Sequence, residues 1–83
     1  MLTASPNPFT DRIDLQWSST ARVTASIVLY NADGAVVYRA PWNLTTGQNN
    51  KTIQPQNAVA SGLYILKLEA NTGVLSTIKL IRR

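Results

Sequence analysis

The sequence predicts an all-β sandwich, and three observations predict it. Short stretches alternate apolar and polar residues with a period of two. Turn signals separate these stretches every roughly 8–12 residues, the spacing of a sandwich. No stretch carries a convincing helical pattern, and no internal repeat is present. At 83 residues the chain is one domain, residues 1–83, with a core at the small end of what a single domain builds.

The first element is unusual. Ser5-Pro6-Asn7-Pro8-Phe9 is neither helix nor central strand, because two prolines remove amide donors and fix φ. It is expected along a sheet edge with Phe9 tucked inward. Arg12 to Trp17 then alternates, with Ile13, Leu15 and Trp17 on one side and Asp14 and Gln16 on the other. Arg22 to Tyr30 places Val23, Ala25, Ile27 and Leu29 on one face and Thr24, Ser26, Val28 and Tyr30 on the opposite one. Its β-branched content resists a helix.

Asn31-Ala32-Asp33-Gly34 is a turn, where Asp-Gly supplies the positive φ of a tight hairpin. The return strand Ala35 to Arg39 is expected to be short and to end at Pro41. Trp42 to Gln48 reads as a polar loop, and Asn49 to Gln54 as a strand centred on Ile53 that stops before Pro55. Leu63 to Ala70 turns Tyr64, Leu66 and Leu68 inward and Ile65, Lys67 and Glu69 outward. After the Asn71-Thr72-Gly73 turn, Val74, Ile78 and Leu80 are expected to face in along the last strand.

The Gly62-Leu63-Tyr64 spacing has its own physical meaning. In immunoglobulin-like sandwiches, a tyrosine near the start of the penultimate strand sends its hydroxyl back to the backbone a few residues upstream. Here that partner would be Val59 or Ala60, and Gly62 permits the sharp corner because it has no Cβ. Tyr64 is thereby read as architectural rather than as a ligand contact.

Composition excludes several kinds of chemistry. The chain has neither cysteine nor histidine, which removes Ser-His and Cys-His catalysis, disulfides and the common zinc sites. The carboxylates are Asp11, Asp14, Asp33 and Glu69; Asp33 belongs to its turn, and Asp11 and Asp14 share one short stretch. That gives no acid/base pair across a cleft. No phosphate-binding glycine loop or calcium loop occurs, so neither an enzyme nor a cofactor is expected. The net charge of +4 comes from basic residues scattered along the chain, with only Arg82 and Arg83 adjacent. Such charges on outward strand positions solubilise a domain rather than bind nucleic acid. Asn43-Leu44-Thr45 and Asn50-Lys51-Thr52 match the glycan acceptor pattern, a match that arises by chance in Asn/Thr-rich loops. Met1-Leu2-Thr3-Ala4 has no secretory signal character, and no apolar run reaches the roughly 18 residues of a membrane helix.

Four pieces, taken in order, resemble the C-terminal sorting domain of the type IX (Por) secretion system. They are Pro6-Asn7-Pro8-Phe9, the hairpin Tyr30 to Tyr38 around Gly34, the Gly62-Leu63-Tyr64 strand running to Leu68, and the basic-aliphatic ending Lys79-Leu80-Ile81-Arg82-Arg83. The match runs from about Ala4 to the last residue. Two departures stand out: Ser5 occupies a position where the family often has an aromatic, and Trp42 to Gln48 carries no family motif.

The resemblance implies an immunoglobulin-like β-sandwich of about seven antiparallel strands at the end of a secreted precursor from Bacteroidetes-type bacteria. It implies an address rather than an activity. Such a domain takes an N-terminal cargo domain through the periplasm and then across the outer membrane, to the cell surface or beyond. A sortase-like protease and its shuttle protein are the implied partners, together with the translocon. A small-molecule substrate is not implied.

Recognition is expected to use the closing hairpin, either by strand addition to the terminal strand or by docking on its outward side. The residues expected to contact the translocon are Ile65, Lys67, Lys79 and Ile81, with Arg82 and Arg83 as a basic tip. The alternative is a glycan-binding or adhesin-like accessory sandwich, in which Trp17, Tyr30, Tyr38 and Trp42 would line one stacking platform.

Overall fold

A computed structural model describes residues 2–56 and 60–83. Seven strands run in order: β1 (Leu2–Ser5), β2 (Ile13–Ser19), β3 (Val23–Asn31), β4 (Val36–Leu44), β5 (Gly47–Ile53), β6 (Gly62–Ala70) and β7 (Gly73–Arg82). They form two antiparallel sheets, a three-stranded one in the order β1-β2-β5 and a four-stranded one in the order β4-β3-β6-β7. The all-β sandwich expected from the alternation is the fold observed.

The core lies between the sheets and is built from the inward set of each strand. Ile13 and Leu15 come from β2, Ile27 and Leu29 from β3, Tyr64, Leu66 and Leu68 from β6, and Leu80 from β7; all are buried. Phe9 closes one end, and its ring meets Tyr64 edge-on at 5.8 Å. Edge-to-face packing sets the positive rim of one ring against the negative face of the other.

Two stretches depart from the sequence-based expectation. β4 does not stop at Pro41 but continues to Leu44, and the expected polar loop contributes two core residues, Trp42 and Leu44. β4 pairs only with β3, and an edge strand tolerates a proline that would break a central one. Beyond Leu44 the chain crosses from one sheet to the other. The buried Asn49 pins this crossing: its Oδ1 accepts from the Thr45 amide at 2.9 Å, and its Nδ2 donates to the carbonyls of Thr45 and Gly47 at 2.9 and 3.0 Å.

The second departure is Val74, expected inside and found exposed. The β6–β7 register shifts between Leu68 and Glu69, so that Ser76 pairs with Leu68 while Val74 pairs with Glu69. One extra residue, Leu75, reverses the side on which everything before it emerges. Leu80 keeps its inward place and Ile78 packs partly against the core.

Candidate functional site

The hairpin of β6 and β7 joins residues 62–70 to the C-terminus, and both of its ends are fixed by side-chain chemistry. At the start of β6, the Tyr64 hydroxyl donates to the Ala60 carbonyl at 2.6 Å, one of the two expected partners; the other, Val59, lies outside the described residues. Gly62 bends the chain at φ 128°, a left-handed conformation that a side chain would oppose. Gly34 does the same at φ 87° in the β3–β4 turn. There Asn31 organises the loop, its Oδ1 accepting from the amides of Asp33 and Ala35 at 3.0 Å each.

β7 is an edge strand, but its last residues are not bare. Phe9 forms a parallel bridge with Arg82: its amide donates to the Ile81 carbonyl at 2.8 Å, and its carbonyl accepts from the Arg83 amide at 2.9 Å. The two prolines beside Asn7 have no amide to offer, so the Asn7 side chain stands in for a peptide unit. Its Oδ1 accepts from the Ile81 amide at 2.9 Å and its Nδ2 donates to the Lys79 carbonyl at 3.4 Å. Pro6-Asn7-Pro8-Phe9 is therefore a clasp along the edge of the terminal strand, with Phe9 buried as expected of a segment laid along a sheet edge. Strand addition is thus blocked over residues 79–83 unless the clasp opens.

The outward side of the same sheet is open. Alternation and register bring Ile65, Lys67, Lys79 and Ile81 onto it, with Lys79 opposite Ile65 and Ile81 opposite Leu63. Arg83 follows the same parity, whereas Arg82 emerges on the other side, its guanidinium donating to the Arg83 carbonyl at 3.2 Å. The basic tip is thus split between two faces. Arg39 joins the outward face from β4, opposite Val28.

Tyr30 is the organising residue of this face. It pairs with Ile65, yet its hydroxyl reaches Glu69 Oε2 at 2.9 Å, so its ring lies lengthwise across the sheet. That path runs over Val28, which is fully buried although it faces away from the core. Lys67 Nζ sits 5.2 Å from the ring centroid, a cation–π arrangement. Donation to Glu69 holds the Tyr30 hydroxyl above its ordinary pKa, with burial and the Glu69 charge acting in the same direction and Arg39 opposing them. Sequence reasoning placed Tyr30 outward and gave it a role only in the glycan-stacking alternative; the tyrosine-to-glutamate reach depends on register between strands far apart in the chain.

The four aromatics of the alternative reading are not gathered. Trp42 is buried, Trp17 and Tyr38 pack partly against the core, and Tyr30 lies on the opposite side of the four-stranded sheet.

Two facing sheets, the tyrosine corner and the edge clasp define an immunoglobulin-like β-sandwich. Among solved structures, the chain is similar to an immunoglobulin-like protein from Pseudomonas aeruginosa, at 8% identity and a TM-score of 0.55, with 92% of this chain and 75% of that one covered. At that identity the likeness concerns the fold alone. No curated protein matches the sequence. The family described as "Secretion system C-terminal sorting domain" matches residues 4–83, and the chain belongs to it. It carries the type IX sorting signal, which directs export across the outer membrane to the surface or the extracellular space, and that family is in general non-catalytic.

Proposed function

We propose that this domain is a non-catalytic address for an attached N-terminal cargo, engaged by the type IX machinery through the outward face of its four-stranded sheet. In this reading the cargo passes through the periplasm, and a sortase-like protease delivered by its shuttle protein removes the domain once the cargo is outside. The observation that carries the reading is the family match over residues 4–83, which takes in every strand from Ala4 onward. The geometry supports face docking over edge addition, because Asn7 and Phe9 already occupy the edge of residues 79–83. Ile65, Lys67, Lys79, Ile81 and Arg83 are the contacts proposed, and Arg82 serves from the other side of the tip.

The test is a folded reporter fused ahead of the domain, in a host with an intact type IX system and in a translocon-deficient strain. The expected result is reporter outside the first host, shortened by the mass of the domain, and retained full-length in the second. Retention in both strains, or release from both, would remove the export reading; release with the domain still attached would remove only its proteolytic half.

A further inference from the structure

The outward face of the four-stranded sheet has a recess at the end nearest the C-terminus. It measures about 330 Å³ and is lined by Tyr30, Gly34, Leu63, Ile65 and Lys67, among others. Exposed apolar side chains flank it: Val36 is 49% exposed, Leu63 39% and Ile81 44%. Such a cluster on one face of so small a domain marks a contact surface.

The charge around the recess is predominantly positive. Arg39, Lys67, Lys79 and Arg83 emerge on this face, and among the described residues none of them forms a salt bridge. Two carboxylates stand among them, Glu69, which is bonded to Tyr30, and the exposed Asp33 in the turn that lines the recess. Lys67 rests over the Tyr30 ring and Lys79 stands exposed, and cations without a carboxylate partner beside exposed apolar side chains complement an anionic ligand with apolar anchors.

We infer that this recess docks an extended segment of a protein partner that alternates acidic with large apolar residues, the carboxylates meeting Lys67 and Lys79 and one apolar side chain entering between Gly34 and Leu63. This deepens the export reading and rests on it for the partner's location. A recess with room for one or two side chains suits a peptide with discrete anchors. An anionic bilayer would instead demand apolar side chains protruding beyond their surroundings.

Two measurements test it. In the first, the full chain is titrated with a synthetic peptide alternating Glu with Ile and Phe, and with the same peptide carrying Lys for Glu, while backbone amide shifts are followed. The Glu peptide is expected to shift Leu63, Ile65, Lys67 and Ile81, more weakly as salt rises, and the Lys peptide to leave them unmoved. Equal effects of both peptides, shifts confined to the three-stranded sheet, or no shifts would overturn the inference. So would perturbation of these residues by phosphatidylglycerol vesicles but not by the Glu peptide.

In the second, K67E with K79E is expected to lower reporter export about tenfold, the scale of a lost charge-complementary contact. K79E alone, at an exposed position, is expected to lower it by a smaller factor with an unchanged melting temperature, whereas the double variant also loses the contact of Lys67 with the Tyr30 ring. Unchanged export from either variant, with the parent fusion exported normally, overturns the docking surface and leaves the export reading standing. A parent fusion that stays inside removes the export reading, while the peptide titration still decides the surface.

Discussion

The two outward faces of this sandwich come from the same kind of alternation and end up chemically opposite. On the three-stranded sheet, outward positions carry Asp14, Gln16 and Ser18 from β2 facing Thr52, Asn50 and Gln48 from β5. Apart from Gln16, these residues satisfy one another: Thr52 donates to Asp14 at 2.8 Å, Ser18 to Gln48 at 3.0 Å and Gln48 to Asn50 at 3.4 Å, and Arg12 pairs with Asp14 at 3.6 Å. On the four-stranded sheet the same parity exposes Leu63 and Ile81 and leaves cations unpaired. One surface has its polar groups matched and needs only water. The other holds apolar area and charge that a partner would match, which is why the contact surface is assigned there.

The comparison presumes that the two sheets are equals inside, and this presumption can be broken first. Leu15 and Leu66 are both essentially inaccessible, one on each sheet. Leu15→Ala and Leu66→Ala are each expected to cost about 2–5 kcal/mol, the transfer term plus the cavity left behind. Denaturant melts decide the matter. A loss well under 1 kcal/mol at Leu15 would mean that the three-stranded sheet is a loosely held cover, and its quiet surface would then reflect weak packing rather than chemistry.

Much of this architecture was legible in the sequence because the alternation is local. Tyr64, Leu66, Leu68 and Leu80 could be placed inside from period two alone, and the Tyr64 corner from Gly62 and the spacing to Ala60. The clasp was half legible: two prolines excluded a ladder strand, but nothing local says that the Asn7 amide replaces the missing peptide groups. The exposure of Val74 is not legible locally, because a bulge is one residue of difference between two paired strands, visible only when both are aligned. Trp42 and Leu44 read as loop because Pro41 ends a central strand, whereas β4 lies at an edge, where a proline is tolerated. Alternation alone puts Ile65, Lys67, Lys79 and Ile81 on the proposed recognition face, whereas its recess depends on Tyr30 lying down over Val28, a contact set by pairing across the chain.

The edge of β7 sharpens the contrast between covered and open surface. Asn7→Ala removes the acceptor of the Ile81 amide in a well-exposed setting, so the expected loss is about 1 kcal/mol. The more telling readout is hydrogen exchange. The Ile81 amide should exchange faster in the variant, and the Arg83 amide, held by Phe9, should follow if the clasp opens as a unit. An Ile81 amide that exchanges at the parental rate would show that Phe9 alone holds the segment, and the terminal edge would have a second cover independent of Asn7.

The smallest effect concerns Tyr30, the residue that organises the outward face of the four-stranded sheet. Its hydroxyl donates to Glu69, which favours the protonated phenol, so its pKa in the folded chain is raised above the ordinary value near 10. Lys67 and Arg39 are the other charged groups facing it, and Arg39 draws the pKa back toward the ordinary value. A raised pKa means that the unfolded chain releases this proton first as the solution becomes alkaline. The contribution to stability is therefore fully present below about pH 10 and is lost as pH rises through the folded value. Y30F keeps the ring over Val28 and beside Lys67 but has no proton to lose. The melting temperature of the parent should exceed that of Y30F slightly at neutral pH, and the gap should close in strong alkali. A gap that stays constant, or widens, would mean that the hydroxyl does not hold Glu69 in solution, and the flat-lying ring on which the recess depends would have to be held by packing alone.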